Sequence, residues 1–154
     1  MTRYEILMDA TATPEEIEAV ERIAPESGLA WDVRAAYERK SAGDLPWIVM
    51  LGVPLATMLA AFSKSYGETL GKHAADGTAK AAADLRRWLV GLYDARHGDG
   101  QVLLDDPDTH TRVLLDRDLP QEAIEALWEV DPVRDGGEAG QVSWDPAKRW
   151  HPPF

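Results

Sequence analysis

The chain has 154 residues, 45% hydrophobic and 28% charged, with no cysteine. Those proportions belong to one globular domain, not to a disordered tail, and the missing thiols exclude disulfides, thiolate metal sites and a cysteine nucleophile. With 27 acidic side chains against 16 lysines and arginines, the formal charge is −11; such a surface repels phosphate backbones, so nucleic acid is not an expected partner.

The opening "MTRYEILMDA" lacks the basic-then-apolar layout of a signal peptide, which predicts a chain that stays in the cytoplasm. Arg3 to Asp9 reads as a strand with Tyr4, Ile6 and Met8 on one face. In "TPEE", Thr13 can cap a helix, Pro14 suits its first position and Glu16 can close a capping box. Ile17, Val20, Ile23 and Ala24 then share one stripe, and "PESG" ends the helix at Pro25 to Gly28. From Leu29 the residues alternate: Leu29, Trp31, Val33, Ala35 and Tyr37 against Asp32, Arg34 and Glu38, a strand with one buried and one wet face. A turn-rich connection follows at Lys40 to Asp44.

Leu45 to Phe62, "LPWIVMLGVPLATMLAAF", carries no ionisable side chain. An 18-residue helix would rise about 27 Å, just short of a hydrocarbon core. Pro54 sits in its middle and would cost on the order of 3 kcal/mol there. The preferred reading is a strand at Trp47 to Leu51 buried on both faces, a "GVP" break, and a helix from near Pro54 with Leu55, Met58, Leu59, Phe62, Tyr66 and Leu70 in register. A kinked helix in the core and a membrane-inserting segment are the alternatives. Val53 is a poor N-cap, the weak point of the preferred reading.

Gly67 to Gly77 is expected to break the helix, and Thr78 to His97 forms the next one, with Leu85, Trp88, Leu89, Leu92 and Tyr93 in a stripe and Gly98 as its stop. Gln101 to Asp116 reads as a hairpin, Asp118 as the cap of a last helix bearing Ile124, Leu127 and Trp128, and Gln141 to Trp150 as a final strand or a tight hairpin. The order β-α-β-β-α-α-β-β-α-β predicts one α+β domain over residues 1–154. Its mostly antiparallel sheet of five or six short strands is covered by about four helices, with an irregular loop at 131–140 and a tail at 151–154.

Chemistry has few handles. Asp105, Asp106, Asp108 and His110 form the densest polar cluster, and Asp106, Asp108 and His110 are the candidate metal ligands. As a calcium loop starting at Asp106, the cluster has Thr111 where glycine is required and Arg117 where a bidentate glutamate is required. Asp and Pro also suit a plain turn between strands. "RHGDG" at Arg96 to Gly100 fits a helix stop better than an acid–base pair, and no nucleotide-binding or hydrolase motif occurs. No cofactor is implied.

Of six tryptophans, Trp31, Trp88 and Trp128 fall on core stripes. Trp47 opens the uncharged run and is either an interfacial anchor or a core ring. Trp144 and Trp150 flank "DPAKR": a three-residue loop places them opposite one another on one face, a two-residue loop on opposite faces. Trp47, Trp144 and Trp150 are thus the candidate partner or membrane contacts. These features predict a small non-catalytic module whose partner is another protein, of regulatory, immunity-type or effector-associated character. Membrane docking through 45–62 and metal-dependent catalysis at Asp105–His110 are the alternatives.

Overall fold

The computed structural model of the chain describes residues 3–37, 47–64, 74–95, 101–131, 135, 140–147 and 149–152. Seven strands make one sheet: β1 (Tyr4–Asp9), β2 (Trp31–Tyr37), β3 (Ile48–Leu51), β4 (Val102–Asp106), β5 (Thr111–Leu115), β6 (Gln141–Asp145) and β7 (Arg149–His151), in spatial order β2-β1-β3-β4-β5-β6-β7. Four α-helices are described alongside them: α1 (Pro14–Ile23), α2 (Leu55–Ser63), α3 (Ala74–Asp94) and α4 (Gln121–Ala126). Short 3₁₀ turns extend α1 and α4 at Ala24–Ser27 and Leu127–Glu129.

The α+β class is as expected, but the sheet is mixed where the sequence predicts a mostly antiparallel one. β1–β2, β3–β4 and β5–β6 are parallel, while β1–β3, β4–β5 and β6–β7 are antiparallel. Each parallel pair is joined through a helix, because a helical crossover returns the chain to the end of the sheet from which it left. The seventh strand comes from "QVSWDPAKRW" folding as a hairpin.

Strand alternation sorts the sheet into two faces. Ile6 and Met8, Ile48 and Met50, Val102 and Leu104, Val113 and Leu115, and Val142 join residues of all four helices in a single buried cluster. Each such side chain fully removed from water contributes roughly 1.5–3 kcal/mol. Because the strands enter that cluster with only one of their two faces, the described helices all lie on the same side of the sheet.

Local chemistry explains most of the elements. The Thr13 hydroxyl accepts from Glu16 N at 3.1 Å, and the Glu16 carboxylate accepts from Thr13 N at 2.8 Å, a complete capping box. The uncharged run breaks at Gly52, whose φ of +82° few other residues tolerate. It continues as a helix whose N-cap is Pro54. No local side chain caps α2; instead Asp106, at the end of β4, accepts from Leu55 N at 3.3 Å. The weak local cap is thus compensated by a carboxylate 51 residues away.

Four expectations need correction. β3 is not buried on both faces: Ile48 and Met50 are fully buried, but Val49 and Leu51 are only half-buried. The kinked-helix alternative falls with it, since residues 48–51 are a strand. α3 begins at Ala74 and continues through Gly77, a helical glycine that costs ~1 kcal/mol relative to alanine. Asp118 does not cap α4, whose N-cap is Pro120 without a side-chain hydrogen bond. The expectations for Lys40–Asp44, Tyr66, Leu70, Arg96–Gly100 and most of 131–140 lie outside the described residues.

Candidate functional site

The Asp105–His110 segment is the tip of the β4–β5 hairpin, with Asp106 paired to Thr111 across it. Period-two alternation drives its two adjacent carboxylates to opposite faces. Asp105 lies 3.8 Å from Arg112 Nε, while Asp106 is 3% exposed on the helix side. There one Asp106 oxygen accepts from Leu55 N and the other from Asp108 N at 2.9 Å. Asp108 and His110 are exposed in the turn, and His110 closes it in the left-handed region at φ 55°. The three candidate ligands therefore serve a helix cap and a turn, and among the described residues no group of three His, Asp or Glu side chains converges to hold a metal ion.

Five of the six tryptophans use the indole N–H inside the fold. Trp31 donates to Ser27 Oγ at 2.9 Å, Trp47 to Leu92 O at 3.3 Å, Trp88 to Ile23 O at 3.1 Å, Trp128 to Ser63 Oγ at 3.1 Å and Trp150 to Ala123 O at 2.9 Å. Trp47, at 1% exposure, therefore sits as a core ring between the sheet and α3. Trp144 pairs with Trp150 in the register of the three-residue loop, edge to face at 5.7 Å between ring centroids. Trp150 is buried against α4; Trp144 is half-buried beneath the Arg149 guanidinium, 5.5 Å from its ring, and its own Nε1 is buried without an acceptor. The pair packs the β6–β7 end of the sheet on α4. No described helix is long and apolar enough to cross a membrane, and the uncharged run spends Ile48, Met50, Val53, Leu55, Met58, Leu59 and Phe62 in the core.

Among the described residues, two titratable groups are perturbed. Burial pushes the Tyr93 phenol from 10.0 up to about 12. Its hydroxyl donates to Leu115 O at 2.5 Å and accepts from Val102 N at 3.0 Å, fastening α3 to the first rung of the β4–β5 pair. Asp116 is raised by burial first and by the neighbouring Asp118 charge second. Tyr93 has both hydrogen-bonding directions occupied by backbone, so it is a fastening, not an acid or base. A cleft of about 890 Å³ opens between the Ala24–Ser27 turn, α2 and α3 over Phe62 and Trp88. The charged groups of its lining, Glu26, Lys64, Asp84 and Arg87, are none of them buried, and Arg87 is paired with Asp84 at 3.3 Å. It offers shape without a poised acid, base or nucleophile.

The remaining feature is the sheet face turned away from the helices. Register pairs Leu7 with Val49, Val49 with Leu103 and Leu103 with Leu114, which lines up four apolar side chains across β1, β3, β4 and β5. Leu51 adjoins the row. Leu103 is 8% exposed and the others are half-buried, yet none belongs to the helix-side core. Ion pairs border the row: Arg3–Asp32 at 2.8 Å, Arg34–Glu5 at 3.1 Å and Arg112–Asp105 at 3.8 Å. The row is not visible in the sequence because each of its residues belongs to a different strand. Its signal lies in single positions of "YEILMD", "IVML", "VLLDD" and "TRVLL", and only the pairing register aligns them. No protein-family model, curated protein or solved structure matches this chain.

Proposed function

We propose that the chain is a small non-catalytic interaction module, of the regulatory, immunity-type or effector-associated kind, that engages another protein through the sheet face turned away from the four described helices. The observation that carries this reading is the aligned row Leu7, Val49, Leu103 and Leu114, framed by ion pairs. An apolar centre inside a charged border is the anatomy of a docking surface. The polar clusters, by contrast, are used in caps, turns and strand fastening. The test is affinity capture with the wild-type chain and with Leu114→Lys, which puts a charge into the row at a half-buried position. A partner held in defined stoichiometry by the wild type and released by the folded variant is the expected result. Equal capture by both would remove the face from consideration.

A further inference from the structure

We infer that the occupant of the sheet face turned away from the described helices is a second copy of this chain, packed sheet against sheet about a two-fold axis that runs parallel to the strands between β3 and β4. This rests on the proposed use of that face and adds who fills it.

Symmetry supplies the first argument. In spatial order, one row across the face reads Arg34, Leu7, Val49, Leu103, Leu114, and the next reads Asp32, Glu5, Leu51, Asp105, Arg112, Gln141. A two-fold axis between β3 and β4 sets Val49 over the second copy's Leu103 and Leu7 over its Leu114, so the apolar row meets itself. In the adjacent row the same operation sets Glu5 over the second copy's Arg112, opposite charges facing each other twice, and Leu51 over its Asp105. A closed two-fold contact requires this kind of self-complementarity, and sheets stack face to face at about 10 Å, within reach of such side chains.

Charge supplies the second. A chain of −11 repels its own copy over most of its surface. On this face the described ion pairs balance, Arg3, Arg34 and Arg112 against Asp32, Glu5 and Asp105. A strongly basic partner would find no surplus of acid here, whereas a copy finds no net repulsion. Size is compatible as well. Six strands ~4.8 Å apart, each about five residues long at ~3.3 Å per residue, present roughly 500 Å² in projection. Two such faces together bury about 1,000 Å², near the lower limit for a specific, reversible dimer.

Sedimentation equilibrium of the full chain over a concentration series, at low and at high salt, tests the inference. A monomer–dimer equilibrium is expected, tightened by salt because screening weakens the repulsion between two acidic copies. Leu114→Lys and Arg112→Glu should each weaken it by about tenfold or more, the second by setting a carboxylate against the second copy's Glu5. Because Arg112 is exposed, that variant stays readable even if Leu114→Lys misfolds. A chain monomeric at every concentration and salt overturns the inference yet leaves the face to a different protein, which the capture experiment reads separately. A dimer that survives both substitutions overturns it too.

Discussion

The two faces of the sheet are built from alternating residues of the same strands, and they meet opposite surroundings. On the helix side Ile48, Met50, Val102 and Leu104 are fully buried under helices held by tryptophan N–H donors. One residue along each strand, Val49 and Leu103 face the other way, outside that core and beside arginine–carboxylate pairs. Both sides carry apolar side chains, but the helix side is apolar almost throughout, whereas the other side mixes them with charged residues and lies outside the described core. Strand periodicity assigns a side chain to a face, but only the path of the helices decides which face becomes the interior.

Truncations on the two sides of the sheet should differ widely in cost. Trp47→Ala removes a fully buried ring and its bond to Leu92 O, and is expected to cost about 3–5 kcal/mol in urea unfolding. Leu114→Ala, on the side turned away from the described helices, is expected to cost about 1 kcal/mol. Next come the neighbouring carboxylates of the hairpin. Asp106→Ala leaves the buried Leu55 N–H without its acceptor and should cost about 1–3 kcal/mol. Asp105→Ala loses only a loose pair to a solvent-facing Arg112, at most about 1 kcal/mol. Equal losses in unfolding experiments would contradict the face assignment.

A smaller effect, about 1–2 kcal/mol, is expected for Tyr93→Phe, which removes the fastening of α3 to β4 and β5. It also has a pH signature. The folded-state phenol is raised from 10.0 to about 12, so folding favours its neutral form. That contribution is complete below pH 10 and is lost as pH rises through about 12. Thermal melts across this window should show a shallower alkaline decline in the phenylalanine variant.

Much of the architecture was legible before any coordinates. The capping box at Thr13 and Glu16, the strand at Trp31 to Tyr37 and the break at Gly52 to Pro54 rest on local signals, and each forms where the residues place it. What escaped depends on distant partners. Asp106 caps a helix 51 residues away, so it reads locally as part of a loose acidic cluster. Parallel pairing of β3 with β4 is set by helices between them, so a mixed sheet reads as an antiparallel one. The row on the face turned away from the described helices escaped for the same reason, being a property of register across four strands.

Residues 49 and 50 provide the sharpest test, because they are adjacent in β3 and point to opposite sides. Unfolding of Val49→Lys and Met50→Lys, measured side by side in urea, should separate them widely. A lysine at 50 buries an unpaired charge among helices and is expected to cost about 4 kcal/mol or more, enough to abolish folding of an ordinary domain. A lysine at 49 should leave a folded chain within about 1.5 kcal/mol of wild type while removing association through that face. If Val49→Lys unfolds the protein as Met50→Lys does, that face is interior and not a docking surface.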